Sequence, residues 1–335
     1  MSDLYRRSVV VRRRPVGPPS PDDFEIVQDP IPMPGPGEVV TRTLFLSVDP
    51  YMRGRLSDRR SYAPSVQIGE PMTGEGIGEV MASADPGFTP GDVVLGTRFW
   101  QSHLLTKSTG LVKLQPEGEP VSTYLGVLGM PGTTAYSGMT DIGQPKAGET
   151  VVVSAASGAV GSVAGQLAKR AGARVVGIAG GPEKCLWVQE SLGFDDCVDH
   201  RQMNLTQALA ESCPHGIDVY FENVGGAVQH AVFTRLNPHA RVVMCGMVSQ
   251  SNDTELAPGP NLGFVVGKRV RIEGLIVSDK PERFAKWRNL AAPWVRDGSL
   301  VYRETIMDGL ENAPEALARL LRGDNFGKML VRVAT

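Results

Sequence analysis

The chain lacks a Cys-x-x-Cys pair, a histidine pair at helical spacing, and any apolar run near the roughly 18 residues a membrane helix needs. Its four cysteines, Cys185, Cys197, Cys213 and Cys245, show no secretory disulfide framework, and its five histidines, His103, His200, His215, His230 and His239, are scattered. Zinc needs a compact set of thiolate and imidazole ligands, so no metal is expected. A charge excess is also missing. The balance of 34 Lys and Arg against 36 Asp and Glu leaves a net charge of -2, which gives no general attraction to nucleic acid or anionic lipid. The basic start, with Arg6, Arg7, Arg12, Arg13 and Arg14, flanks an edge-strand pattern at 8–11 and runs into a Pro-rich loop. It reads as structure rather than as a targeting segment, and a cytoplasmic location is the expectation.

What is present fits two domains: 335 residues, 41% hydrophobic and 21% charged. Residues 1–125 are rich in Pro and Gly, with short strand patterns at 38–47, 74–81, 92–96 and 111–114. Turn signals such as Pro34-Gly35-Pro36-Gly37 separate them, which predicts an antiparallel β-rich domain. Residues 126–300 alternate strand and helix, with strands predicted at 151–153, 174–178, 197–198, 217–221, 241–245 and 271–277. That alternation predicts an α/β Rossmann fold, a doubly wound parallel sheet covered on both faces. Residues 301–335 carry a helix near 313–321 and a strand at 328–333, a C-terminal segment expected to return to the first domain.

The run Val151-Val152-Val153-Ser154-Ala155-Ala156-Ser157-Gly158-Ala159-Val160-Gly161 reads as a buried strand, a small-residue turn and a helix start. Helix N-termini present unpaired N–H groups and a positive dipole end. Small residues there let a dinucleotide diphosphate approach the backbone. An NAD site usually places a carboxylate at the tip of the next strand. Here that strand ends Ile178-Ala179-Gly180-Gly181, with Lys184 just beyond, so NADP is favoured over NAD.

Several segments extend this pattern over nearly the whole chain. They are Leu46-Ser47-Val48-Asp49-Pro50-Tyr51-Met52-Arg53-Gly54-Arg55, Gly129-Met130-Pro131-Gly132-Thr133-Thr134-Ala135-Tyr136 and the Ala-x-x-Gly-x-x-Gly turn at 155–161. Further along come Glu222-Asn223-Val224-Gly225-Gly226, Cys245-Gly246-Met247-Val248-Ser249 and Gly323-Asp324-Asn325-Phe326-Gly327-Lys328. In this order they resemble the zinc-free medium-chain dehydrogenases/reductases, the group of leukotriene B4 dehydrogenases, prostaglandin reductases and bacterial NADPH-dependent curcumin reductases.

The resemblance implies a GroES-like β-rich domain beside the Rossmann domain, with an active cleft between them. It implies NADPH as coenzyme, hydride delivery to the β-carbon of an α,β-unsaturated ketone or aldehyde, protonation of the resulting enolate, and a homodimer. It assigns Gly158, Ala159, Val160 and Gly161 to the diphosphate. Gly180, Lys184 and His200, with Arg201 sharing, fall to the 2′-phosphate. Met130, Thr134, Asn223 and Asn325 fall to the nicotinamide end, and Cys245, Gly246, Met247 and Ser249 to ribose and phosphates. Tyr51 is the candidate catalytic residue, contacting the carbonyl oxygen or relaying the proton. Where zinc-dependent relatives have a Cys and a Gly-His-Glu segment, this chain has Ser47, Asp49 and Gly69-Glu70-Pro71. Tyrosines found in many relatives are missing at Gln250-Ser251-Asn252 and at Gly267, which leaves more of the chemistry to Tyr51 or water. Substrate choice is expected to depend on the loops at 56–66 and 252–263. Two alternatives stay open at this point: an NADPH quinone reductase, and a non-catalytic NADPH-binding sensor or structural protein.

Overall fold

A computed structural model describes residues 5–59, 61–201, 204–255 and 258–334. Arg60, Leu256 and Ala257, inside the two loops expected to select substrate, lie outside the described residues. The chain divides into two compact units, 126–303 and a second made of 1–125 with 304–335.

In the unit 126–303 six parallel strands form one sheet: β1 (Thr150–Ser154), β2 (Arg174–Ala179), β3 (Asp196–Asp199), β4 (Ile217–Glu222), β5 (Leu236–Met244) and β6 (Arg271–Gly274). Their order is β3-β2-β1-β4-β5-β6. Parallel strands need crossovers, supplied here by α1 (Gly161–Arg170), α2 (Pro182–Glu190), α3 (Leu205–Ser212) and α4 (Gly226–Arg235). Helices on both faces explain why Val151, Val152 and Val153 are all fully buried rather than alternating. Each contributes about 1.5–3 kcal/mol relative to an exposed side chain. One glycine sets how closely α1 packs on the loop that leads into β3: a Cβ at Gly165 would stand 1.8 Å from the Phe194 ring. The strand order reverses between β1 and β4, and such a switch point leaves a crevice at the carboxyl ends of the strands.

The second unit is built on a seven-stranded sheet with the order Glu304–Asp308, Lys328–Arg332, Glu38–Ser47, Thr73–Ser83, Val93–Phe99, Leu111–Lys113, and His103–Lys107 paired to Glu38–Ser47. Glu304–Asp308 runs parallel to Lys328–Arg332, and the remaining pairs are antiparallel. Tyr5–Val11 and Phe24–Pro30 make a separate antiparallel pair. The core joins Val9, Leu46, Met52, Met72 and Trp100 to Leu317 of the helix Ala313–Arg322, which Gly323 ends in the left-handed conformation at φ 73°.

Three strands escape the sequence pattern. Phe24–Pro30, His103–Lys107 and Glu304–Asp308 lack apolar alternation and form through backbone pairing to stronger partners. The strand expected at 271–277 is shorter, Arg271–Gly274, and gives way to a turn at Val277–Asp279. It is the edge of its sheet, not an interior strand, and all four of its residues are exposed. β5 starts five residues before the expected Arg241, through Asn237-Pro238-His239, where His239 has a φ of 64°.

Candidate functional site

The turn after β1 is bent by Ala155, which takes the left-handed φ of 49° without being glycine. This aims the Ala155 carbonyl across the turn. A Cβ on Gly161 would stand 2.3 Å from that oxygen, and one on Gly158 3.1 Å. Gly158 donates its N–H to Ala155 at 2.9 Å, while Ser162 and Ala164 reach back to Gly158 and Val160 at 3.0 and 2.9 Å. The N–H groups of Ala159, Val160 and Gly161 donate to no carbonyl among the described residues. The first turn of α1 holds no acidic side chain. The result is a cradle of free amides at a positive helix end, suited to a diphosphate.

At the tips of β2 and β3, nitrogen-bearing side chains collect around two glycines. A Cβ on Gly180 would meet His200 Nε2 at 2.9 Å and Arg201 Nε at 3.2 Å. His200 titrates below its ordinary range, chiefly through partial burial, with Arg201 and Lys184 adding repulsion against the opposing pull of Asp199. Asp199 itself is missing from the sequence reading. Its carboxylate accepts from Gly181 N at 2.8 Å and Arg201 N at 3.0 Å. Burial pushes this carboxyl up, but those backbone donors outweigh it and hold it below the usual range. Asp199 thus braces two turns at once, the one after β2 that carries Gly181 and the one after β3 that carries Arg201. Lys184, His200 and Arg201 fit the chemistry of a phosphomonoester.

The tips of β4 and β5 are tied by a buried knot around Ser154 and Glu222. Asn223 donates its N–H to Ser154 Oγ at 2.8 Å and its Nδ2 to Ser154 O at 2.7 Å. Glu222 Oε1, fully buried, accepts from Ser154 Oγ at 3.0 Å and from the amides of Val224 and Gly225 at 2.7 and 3.0 Å. Cys245 and Gly246 both donate to Glu222 O, at 2.9 and 3.0 Å, and Ser249 Oγ donates to Val224 O at 2.6 Å. Met247 stays exposed. Burial, and then repulsion from Glu222, push the Cys245 thiol up to about 12, so it is no nucleophile at neutral pH.

Met130 opens the helix Met130–Ser137, and Thr134 Oγ1 donates back to Met130 O at 2.8 Å, which fixes the Thr134 side chain on that turn. Gly158, Ala159, Val160, Gly161, Gly180, Lys184, His200, Asn223, Cys245, Gly246, Met247, Ser249, Met130 and Thr134 therefore all belong to the unit 126–303, and Tyr51 and Asn325 to the other. Asn325 is buried, with Nδ2 donating to Gly327 O at 2.7 Å. Tyr51 precedes the short helix Met52–Arg55 and packs on the core of its unit, the Arg55 guanidinium 5.1 Å from its ring centre. Its hydroxyl makes no hydrogen bond to another described residue. Burial first, and then the Asp49 charge, hold its pKa well above the ordinary tyrosine value.

The Ser47–Asp49 region argues against a zinc site on its own chemistry. Ser47 Oγ donates to Asp49 Oδ2, and Lys328 Nζ donates to Asp49 Oδ1 at 2.8 Å and to Val48 O at 2.7 Å. An ammonium group occupies the side of the carboxylate that a cation would need. Among the described residues no three His, Cys, Asp or Glu side chains are grouped to hold a metal.

Comparison with known proteins adds two family models: one described as the N-terminal domain of oxidoreductase over residues 7–114, the other as zinc-binding dehydrogenase over residues 159–295. The chain is 48% identical to an NADPH-dependent curcumin reductase of Escherichia coli, over 98% of its own length and 97% of the relative's. It is 40% identical to a 2-alkenal reductase (NADP(+)-dependent) of Nicotiana tabacum, covering 99% and 98% of the two chains. The crystal structure of CurA in complex with NADPH from Vibrio vulnificus superposes with a TM-score of 0.93 at 44% identity, covering 98% of this chain and 99% of that one.

Proposed function

This chain belongs to the medium-chain dehydrogenase/reductase superfamily, and from that membership we propose that it uses NADPH to reduce the carbon–carbon double bond of α,β-unsaturated ketones and aldehydes. The observation that carries the reading is the 48% identity, across both units, with a reductase named for NADPH. A 2-alkenal, the substrate in the name of another relative, is itself an α,β-unsaturated aldehyde.

Bound NADPH supplies the hydride for the β-carbon. The chain's own part begins with holding it: the amides of Ala159, Val160 and Gly161, beside Gly158, take the diphosphate. Gly180, Lys184 and His200, with Arg201, take the 2′-phosphate. Met130, Thr134, Asn223 and Asn325 shape the nicotinamide end, and Cys245, Gly246, Met247 and Ser249 the ribose side. Tyr51 donates a hydrogen bond to the substrate carbonyl oxygen, where negative charge develops. A phenol whose pKa is raised by burial keeps its proton, so Tyr51 suits donation rather than proton transfer, and the α-carbon proton is assigned to water.

Steady-state assays with an enal, an enone and a quinone, each with NADPH and NADH, test the reading. Enal- and enone-dependent consumption of NADPH, with NADH used poorly, is the expected result. Rapid quinone turnover without enone turnover replaces it with quinone reduction, and coenzyme binding without any turnover replaces it with the non-catalytic alternative. Tyr51→Phe should lower kcat about tenfold, roughly 1.4 kcal/mol of transition-state stabilisation, with the KM for NADPH and the melting temperature unchanged. An unaltered kcat assigns the carbonyl oxygen to another donor.

A homodimer joined through β6 belongs to the same reading. The sheet ends at this strand, and Ile272, Ile276, Leu262 and Val266 around it are exposed. Unpaired edges of this kind are normally covered. Light scattering should give twice the chain mass, and Ile272→Asp should halve it; a monomeric wild type ends the inference. The four free thiols accord with a reducing compartment such as the cytoplasm.

A further inference from the structure

Two of the four cysteines face each other. Cys185, in the first turn of α2, and Cys197, on β3, have their sulfurs 2.9 Å apart, the Cys197 thiol donating to Cys185. The sequence separates them by 12 positions; the crossover from helix to strand brings them together. The neighbouring strand makes room: Cys197 pairs with Gly177 of β2, where a Cβ would stand 3.3 Å from the Cys197 sulfur. Both cysteines line a surface cleft with Pro182, Leu186, Gln189 and Glu211, Cys185 at 7% exposure and Cys197 half-buried.

We propose that Cys185 and Cys197 are a redox-modification site, converted by a hydroperoxide to a disulfide and restored by a dithiol. Cys185 is the attacking sulfur. The hydrogen bond from Cys197, with a further one from the Ala179 backbone, draws it below the usual thiol range against burial and the charges of Asp199 and Asp196, and it lies at the positive end of α2. Its thiolate attacks one oxygen of hydrogen peroxide, the O–O bond breaks, and sulfenic acid and hydroxide are left. Cys197 sulfur then displaces the sulfenic oxygen, which leaves as water with the Cys197 proton. In balance, two thiols and one peroxide give one disulfide and two waters. The sulfurs need to close from 2.9 Å only to the roughly 2.05 Å of a covalent bond. Cys213 and Cys245 serve as internal controls, because burial pushes their thiols up to about 11 and about 12.

The site is independent of the activity proposed above, and so is its test. The full-length reduced protein is treated with hydrogen peroxide, quenched with N-ethylmaleimide, and analysed by thiol count, intact mass and peptide mapping. The expected result is a fall from four thiols to two, a mass lower by two hydrogens before labelling, and one peptide pair joining Cys185 to Cys197, all reversed by dithiothreitol. Cys213→Ala should keep the cross-link, and Cys197→Ser should leave Cys185 oxidised beyond sulfenic acid with no cross-link. Four titratable thiols after treatment overturn the proposal. So does wild-type oxygen uptake on a single cysteine without the joined peptide. The wild-type measurement decides by itself if a variant fails to fold.

Discussion

Replacing Gly161 by valine should raise the Kd for NADPH at least about 100-fold, close to 3 kcal/mol. The first atom of any side chain there meets backbone: Ala155 O at 2.3 Å, Ala155 C at 2.9 Å and Ala156 Cα at 3.0 Å. None of these can rotate away. The turn must open, and the amides of Ala159, Val160 and Gly161 move with it. Ala155, already in a left-handed conformation, has little freedom to absorb the shift. Thermal unfolding with and without coenzyme separates lost binding from lost folding. A ligand at 100 times its Kd stabilises the wild type by about 2.7 kcal/mol. At that concentration the variant should keep no more than about 0.4 kcal/mol, so its melting temperature should barely rise with coenzyme. A normal NADPH-dependent rise would mean that the diphosphate sits elsewhere.

Lys328→Met should cost about 3–5 kcal/mol of stability, because it strands a buried carboxylate. Lys328 and Asp49 side chains are only 4% and 5% exposed, and the ammonium also satisfies the Val48 carbonyl. With the lysine gone, Asp49 keeps only the Ser47 hydroxyl among the side chains bonded to it. Adding Asp49→Asn removes the stranded charge, and the double variant should recover more than half of the loss. Urea unfolding of the four proteins gives the coupling energy. A single variant that loses less than 1 kcal/mol would show the carboxylate protonated or hydrated rather than ion-paired.

How far the sequence discloses the site depends on distance along the chain. The diphosphate cradle is readable because strand, turn and helix are contiguous from Val151 to Arg170, and each leaves its own period in the residues. The Asp199 brace is not readable, since it acts on Gly181 across the β2–β3 pairing. The absence of an acid at the β2 tip is a correct observation, yet a carboxylate from the next strand stands close by and points its oxygen at backbone instead. The Asp49–Lys328 pair spans 279 positions, beyond the reach of any local pattern. Glu222 and Asn223 announce themselves as a segment, but their role in knotting β4 to β5 depends on Ser154 from a third strand. The strand at 271 is ambiguous in the sequence for another reason: Ile272, Leu275, Ile276 and Val277 suit an edge strand and an interior one equally, and the fold makes it an edge with Ile272 and Ile276 exposed.

The interleaving of the unit made of 1–125 and 304–335 has a consequence for biosynthesis. Lys328–Arg332 sits between Glu304–Asp308 and Glu38–Ser47, so that sheet stays open until residue 332 has cleared the ribosome. Residues 126–303, contiguous and self-contained, are free to fold while translation continues. The strands of 1–125, made before residues 304–335, thus wait with an uncovered edge of the kind that invites pairing with another chain.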